Sequence, residues 1–189
     1  MSTGTRVAWE TAEVIARDLV LMLLDAAHHV SVAGSIRRGK PDVGDIELVA
    51  VPIIDTVPDG MFDTADRNRL TERIVLLIER RILASHPTDP KRGERYSKLL
   101  HRDSGLQVDL FSARPETFGI VYLIRTGPAD YSQRFVTDLR RRALHVKGGE
   151  LHRGSLGCGS SPCEFVPTPT ERDVYDAAGW PYIRPEHRA

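Results

Sequence analysis

A strand that carries two acidic residues within an apolar run constrains this chain more than any other feature. Residues 45–54 read DIELVAVPII, so β-strand alternation places Asp45 and Glu47 on one face and Ile46 and Leu48 on the other. Unpaired like charges are costly to bury, and such a pair therefore favours a cation between them. Taken alone, the pair is more typical of the solvated face of an edge strand, so its neighbours decide the interpretation.

A loop of small and basic residues precedes this strand. Residues 34–39 read GSIRRG, and nine residues separate Ser35 from Asp45. Backbone N–H groups freed by a small-residue turn, the Ser35 hydroxyl and an arginine fork match the oxygens of a triphosphate. A surface turn with solvated arginines is the alternative. The fixed offset from the carboxylates favours the phosphate interpretation.

A third acidic residue lies in another apolar segment. Asp109 is the centre of Val-Asp-Leu at 108–110, in a predicted strand that could pair beside the first. Three hard oxygen ligands, completed by phosphates and water, suit Mg²⁺ or Mn²⁺ rather than Zn²⁺. Two such ions would activate a hydroxyl nucleophile and stabilise charge on phosphorus and on pyrophosphate.

The remaining elements predict the fold class. Apolar residues at helical spacing predict helices over 9–29, near 70–82 and over 129–143. Strands are predicted at 29–33, 95–101 and 106–112, and a hairpin turn at 103–105 joins the last two. Thr170 begins a short helix that Gly179 ends. Strands first and helices later predict an α+β fold.

Composition limits the partners less than the motifs do. The 26 Lys and Arg residues equal the 26 Asp and Glu residues, so no global positive field indicates a nucleic-acid partner. A local acidic centre and local basic strips would cancel in that sum. Arg140, Arg141 and Arg142 form one such strip, for which a solvated helix face is the alternative to phosphate contact.

Targeting signals are not evident in the sequence. The N-terminus lacks the pattern of a signal peptide, and the apolar run 19–24 is far shorter than the roughly 20 residues that span a bilayer. We therefore predict a cytoplasmic (intracellular) protein that binds no membrane.

Two cysteines are too few for a disulfide framework. Cys158 and Cys163 could join His145 and His152 in a zinc set, but their spacing matches no familiar zinc motif. Reduced thiols are the favoured interpretation.

Four motifs in order give the chain a family resemblance. They are AGSIRRGKPDVGDIELV at 33–49, VDLF at 108–111, FGIVYLIRTGPADYSQRF at 118–135 and ERDVYDAAGWPYIRPEHR at 171–188. This series resembles the family X DNA polymerases, the DNA polymerase beta group, in their palm and thumb parts. The resemblance implies a nucleotidyltransferase palm with a mixed β-sheet flanked by helices over residues 1–113, followed by a small α/β thumb-like subdomain over 114–189.

The resemblance also implies roles for individual residues. Asp45, Glu47 and Asp109 would be the catalytic carboxylates and would hold two Mg²⁺ or Mn²⁺ ions. The implied nucleotide-binding residues are Gly34, Ser35, Arg38, Gly44, Ile124, Arg125, Thr126 and Gly127. The implied DNA-contacting residues are Arg134, Arg140, Arg141 and Arg142.

Several residues depart from the family pattern. Glu47 stands where the polymerases usually carry Asp, and Gln107 stands where an Arg commonly precedes the third carboxylate. Ile124 and Arg125 replace aromatics that screen the sugar, so ribonucleotide use is open. The family turn often has a cis peptide after its glycine, and proline lowers the cis cost to below about 1 kcal/mol, so we predict a cis Gly127–Pro128 bond.

These features predict a polymerase that adds nucleotides from a (d)NTP to a primer 3′-hydroxyl and releases pyrophosphate. Template-independent or ribonucleotide addition to RNA, DNA ends or a small molecule is a second hypothesis, and a non-catalytic DNA-end-binding module is a third. Only 33 residues precede Gly34, so we expect no N-terminal lyase or helix-hairpin-helix domain. Weak, salt-sensitive binding to DNA primer-template or DNA ends would follow unless a protein partner anchors the DNA.

Overall fold

The computed structural model describes residues 5–59, 63–154 and 163–188. The helices in these ranges are α1 Trp9–Leu23, α2 Gly34–Arg37, α3 Arg69–Glu79, α4 Phe118–Thr126, α5 Ala129–Arg141 and α6 Glu171–Ala178. The strands are β1 Val7–Ala8, β2 Ala27–Val32, β3 Asp42–Val43, β4 Asp45–Pro52, β5 Ile54–Asp59, β6 Asp63–Asn68, β7 Leu83–Ser85, β8 Lys91–Arg92, β9 Tyr96–His101, β10 Gln107–Ser112, β11 Leu144–Lys147, β12 Glu150–Arg153 and β13 Glu164–Val166.

A six-stranded mixed sheet forms the first part of the molecule. Its strand order is β2-β4-β10-β9-β7, with β8 also paired to β9. The β4 and β10 strands are parallel, and the other pairs of this sheet are antiparallel. One face of the sheet carries Ile46 and Leu48, which are buried in the same core as apolar residues of α1 and α3. Helices α1 and α3 therefore cover one face of the sheet, and the residues that alternate with Ile46 and Leu48 lie on the opposite face.

A second core lies in the C-terminal part. Helices α4, α5 and α6 surround Phe135 and Tyr175, which pack with Leu144 and Leu151 of the three-stranded sheet β11-β12-β13. A third, smaller cluster joins the two parts, because Val49 and Phe111 of the large sheet pack against residues of α4. The predicted α+β class is confirmed, and the boundary after residue 113 stays a prediction.

The ends of α6 follow the sequence signals that predicted them. The Thr170 hydroxyl accepts a hydrogen bond from the Asp173 backbone, and the Asp173 carboxylate accepts one from the Thr170 backbone N–H at 2.7 Å. This reciprocal pair satisfies N–H groups that have no partner within the helix. Gly179 ends the helix with φ of 62°, in the left-handed region that glycine adopts without a Cβ penalty.

Two elements differ from the predictions. Helix α1 ends at Leu23 rather than near residue 29, because residues 27–32 pair with β4 and form strand β2. The antiparallel ribbon of β5 and β6 was not predicted, since these polar segments show no apolar alternation that would mark a strand.

The predicted cis bond between Gly127 and Pro128 is wrong, because this bond is trans. Gly127 has φ of −68° and ψ of 151°, the extended conformation that a residue before proline favours. Pro128 then caps α5, and its carbonyl accepts a hydrogen bond from the Ser132 N–H at 3.0 Å. A trans bond therefore leads directly into the helix.

The prediction of reduced thiols is wrong for Cys163, which is disulfide-bonded. The other cysteine of the chain, Cys158, lies outside the described residues. His145 and His152 lie on neighbouring strands with ring centroids 5.6 Å apart, and His145 Nε2 is 3.7 Å from Cys163 Sγ. A disulfide sulfur is not a thiolate, so this group does not match a zinc set.

No helix in the described part of the chain is both long and apolar enough to span a bilayer.

Candidate active site

The register of the large sheet places the three predicted catalytic carboxylates on one face. Asp109 of β10 lies directly beside Glu47 of β4, and Gln107 lies beside Asp45. Strand residues two apart share a face, so all three acids lie opposite the helix-covered face. Within the described ranges, no three Asp, Glu, His or Cys side chains are gathered tightly enough to form a ready metal site.

Burial and mutual repulsion raise the pKa values of two of these acids. Burial is the largest cause for Glu47, followed by the charges of Asp45 and Asp109, and together they raise its pKa to about 7. Burial also raises the pKa of Asp45, with Asp109 adding to the effect. The charges of Arg38 and Arg125 oppose the shift at Glu47 without cancelling it. The face is therefore deficient in positive charge, which suits a bound cation.

Hydrogen bonds from two neutral side chains hold Asp109. The Tyr96 hydroxyl donates to Asp109 Oδ1 at 2.7 Å, and the Gln107 amide donates to Oδ2 at 2.7 Å. Both carboxylate oxygens thus accept hydrogen bonds from protein donors. Divalent ions would have to compete with these bonds or share the remaining lone pairs.

The short helix α2 and Arg38, which follows it, border this acidic face. Gly34 has φ of 61°, and a Cβ built there would lie 2.0 Å from Glu47 Oε2, so only glycine allows this approach. The Ser35 hydroxyl and Arg38 Nε are buried and have no hydrogen-bond partner. Burial lowers the pKa of Arg38, whereas Glu47 and Asp45 oppose that shift. Buried donors without partners fit a phosphate group better than a closed structural turn.

A cavity of about 720 Å³ opens from the acidic face toward the C-terminal part. Glu47 and Asp109 line one side, and the Gly148–Gly149 turn between β11 and β12 lines another. The Arg95 guanidinium donates to the Gly148 carbonyl at 3.1 Å and joins the two walls.

A stack of three side chains lies in the same cavity. The Tyr96 and Phe111 rings are stacked with centroids 4.8 Å apart, and the Arg125 guanidinium lies 3.9 Å from the Phe111 centroid. Arg125 is exposed at its outer face. Ile124, predicted beside it, contributes its carbonyl, which accepts a hydrogen bond from the Ser132 hydroxyl at 2.9 Å.

Other predicted nucleotide-binding residues have structural contacts. Thr126 is fully buried, its hydroxyl accepts from Arg37 at 2.7 Å, and its carbonyl accepts from Arg38. A Cβ at Gly127 would lie 2.7 Å from the Ser132 hydroxyl, and one at Gly44 would lie 3.1 Å from an Arg6 guanidinium nitrogen. Thr126 thus links the two parts of the molecule.

A buried ion network lies behind that link. Glu171 forms paired hydrogen bonds with Arg37, at 2.7 and 2.6 Å, and with Arg188, at 2.8 and 3.2 Å. Burial alone would raise the pKa of Glu171, but the two arginines outweigh it and lower the pKa below its usual value. Arg37, adjacent to the predicted phosphate ligand Arg38, is therefore a structural residue.

The predicted DNA-contacting arginines lie on or just after α5 and are exposed. They are Arg134, Arg140, Arg141 and Arg142. Asp138 pairs with Arg142 at 3.0 Å and with Arg141 at 3.8 Å, so part of the strip is already neutralised.

Sequence reasoning missed Tyr96 and Phe111 as site residues. Phe111 follows Asp109 by two positions on an alternating strand, which was a usable signal for a shared face. Tyr96 gave no such signal, because its place depends on the pairing of β9 with β10.

Comparison with known proteins finds similarity to DNA polymerases. Residues 126–189 match the DNA polymerase beta thumb family. DNA polymerase lambda of Rattus norvegicus is 25% identical over 171 residues, a match that covers 82% of this chain and 28% of the relative. The chain thus spans little more than a quarter of that relative.

The two matches make this chain similar to the family X DNA polymerases. Its C-terminal part is similar to the DNA polymerase beta thumb, and most of its length is similar to part of DNA polymerase lambda.

Proposed function

We propose that this chain is a nucleotidyltransferase that moves a nucleotide from a (d)NTP to the 3′-hydroxyl of a DNA primer. One observation carries the proposal: the sheet register sets Asp109 beside Glu47, two residues from Asp45, next to a turn with unpartnered buried donors. Buried acids with raised pKa values beside buried donors that lack partners are typical of functional sites.

The carboxylates would hold Mg²⁺ or Mn²⁺. Three oxygen donors suit these ions, and the raised pKa of Glu47 supports the need for positive charge there. The bound ions would lower the pKa of the attacking hydroxyl and offset charge on the phosphates.

The remaining roles fall to side chains of this chain. The Ser35 hydroxyl and the Arg38 guanidinium would bind triphosphate oxygens and orient the α-phosphorus. Asp109 would accept the proton of the primer 3′-hydroxyl as the bond from O3′ to the α-phosphorus forms. The bond from that phosphorus to the bridging oxygen breaks at the same centre, and pyrophosphate leaves.

Exposed basic residues support binding to DNA. The matched thumb family and the matched relative are both named for DNA polymerases. Arg140 is exposed at the end of α5, where it could neutralise a backbone phosphate, whereas Arg141 and Arg142 already pair with Asp138. Because these contacts would be ionic, binding should weaken steeply as salt increases.

Template-independent or ribonucleotide addition is a second candidate, favoured by one observation. Arg125 presents a planar cation to the cavity where the family pattern has an aromatic residue. A guanidinium can donate to a 2′-hydroxyl, whereas an aromatic ring would screen it.

A primer-extension panel tests both candidates. Templated, single-stranded and RNA primers would be combined with dNTPs or NTPs in Mg²⁺ or Mn²⁺. We expect transfer by the unmodified chain, its loss in Asp45→Ala and Asp109→Ala, and its retention in Asp55→Ala, which changes a partly exposed acid of β5 that pairs with Arg69. Transfer by Asp45→Ala at the unmodified rate would refute the proposal.

A further inference from the structure

A second cavity, of about 850 Å³, lies on the other side of helix α4 from the carboxylates. Val121 and Arg125 line the carboxylate cavity, whereas Phe118 and Tyr122 line the second one. Residues four apart share a side of a helix, so α4 presents one pair of side chains to each space. The helix therefore separates two distinct cavities.

Aromatic rings form the walls of the second cavity. The Phe118 and Tyr122 rings are 5.0 Å apart between centroids, and the His29 ring meets Phe118 edge-on at 4.8 Å. Tyr182, which is 40% exposed, forms a further wall and meets Tyr175 edge-on at 5.2 Å. Such rings offer flat faces on which a planar heterocycle can stack.

The charge at this cavity is positive. Glu171 is the one acid among its described lining residues, and Arg37 and Arg188 already neutralise it. Arg172 is exposed, lies near the Tyr182 ring, and forms no ion pair with any other residue that the structure describes. The exposed imidazole of His28 lies in the same lining. A bound anion would therefore meet a cation and no free carboxylate.

We propose that this cavity binds one unpaired nucleotide of a single-stranded nucleic acid. The base would stack against the aromatic wall of Phe118 and Tyr182, and Arg172 would bind the adjoining phosphate. Stacked aromatics beside a cationic groove are the general chemistry of single-strand binding. The volume of about 850 Å³ lies within the range of roughly 300–1,000 Å³ that small-molecule pockets have, which is large enough for one nucleotide.

Equilibrium binding tests the proposal without turnover or added metal. We would measure fluorescence anisotropy of a labelled oligo-dT of about 12 nucleotides. Tyr182→Ala should weaken binding about tenfold, since base stacking is commonly worth that factor, and Tyr182→Phe should restore it. Arg172→Ala should weaken binding and reduce its salt dependence. The matched control Arg17→Ala, which changes an exposed arginine on α1, should do neither.

Cross-linking of the unmodified chain locates the strand directly. A 5-iodouracil oligonucleotide should cross-link to peptides that contain Phe118, Tyr122 or Tyr182. Cross-links confined to α5 or to the Arg125 cavity, or equal oligonucleotide binding by Tyr182→Ala and the unmodified chain, would overturn the proposal. Tight binding of free thymidine monophosphate without binding of the strand would overturn it as well. Because strand binding is measured without a nucleotide and without added metal, this result is separable from any failure of nucleotidyl transfer.

Discussion

The molecule buries acidic side chains in two regions, and their surroundings shift the pKa downward in one region and upward in the other. Glu171 lies between Arg37 and Arg188 and accepts four hydrogen bonds from them, which lowers its pKa. Glu47 lies among other carboxylates, and burial together with their charge raises its pKa to about 7. Cationic side chains of the chain balance the charge of Glu171, whereas they do not balance the charge of the acids around Glu47.

That difference separates structural charge from functional charge. A buried ion group whose partners are all present fixes the geometry of the chain, here the junction of α2, α6 and the C-terminal segment. A buried group without a partner lowers stability unless a ligand supplies the missing charge. Removal of the Glu171 carboxylate should therefore lower the stability of the fold, and removal of the Glu47 charge should raise it.

The largest effect should come from Glu171→Ala. Arg188 has a side chain that is fully buried, so loss of its partner leaves an uncompensated charge in the core. We expect a loss of about 3–5 kcal/mol in the free energy of unfolding, measured by urea titration. An unchanged urea midpoint would show that the network is not a structural unit.

Glu47→Gln should stabilise the chain by about 3 kcal/mol near pH 8, measured by urea titration. The folded form holds a proton up to a pKa of about 7, whereas the unfolded carboxyl loses it near 4.5. Stability of the unmodified chain therefore falls as pH rises through this window. The stability advantage of the variant should vanish below about pH 4.5, where Glu47 is protonated in both the folded and the unfolded chain.

The same variant should lose nucleotidyl transfer. A Glu47→Gln variant that is more stable but inactive would agree with a functional rather than a structural role for Glu47. Equal stability of the two chains across the whole pH range would contradict the raised pKa.

Tyr96→Phe should have a smaller effect. It removes the 2.7 Å hydrogen bond to Asp109 and leaves the ring stacked on Phe111. We expect a loss of about 1.5 kcal/mol in the free energy of unfolding, as for other hydrogen bonds to charged groups. Ser97→Ala on the same strand is a useful comparison, because no hydrogen bond of its side chain is seen in the described part of the structure. Equal losses in both variants would argue against the bond to Asp109.

The smallest effect should come from Glu72→Ala. Its ion pair with Arg67 is as short as those of Glu171, at 2.5 Å, but both side chains are about half exposed. Water and salt screen such pairs, so the urea midpoint should not change measurably. A large change would mean that burial is not what distinguishes the Glu171 network.

Much of the acidic face could be predicted from the sequence. Alternation placed Asp45 and Glu47 together, and a central acid in an apolar strand identified Asp109. The ends of α6 were also predictable, because the signals at Thr170 and Gly179 are local.

Features that depend on distant contacts could not be predicted. Arg37 and Glu171 are 134 residues apart, and no local pattern indicates that they meet. The bonds from Tyr96 and Gln107 to Asp109 likewise depend on strand pairing and on side-chain direction. The wrong prediction at Gly127–Pro128 came from the family pattern, whereas the local start of α5 decides the trans geometry.

The central claim is that the acidic face is uncompensated because it binds divalent cations. Titration with Mn²⁺, followed by electron paramagnetic resonance of the free ion, tests this most directly. The unmodified chain should take up Mn²⁺ with proton release near neutral pH, and an Asp45→Asn, Glu47→Gln double variant should take up none. Equal Mn²⁺ uptake by the two proteins would contradict the account.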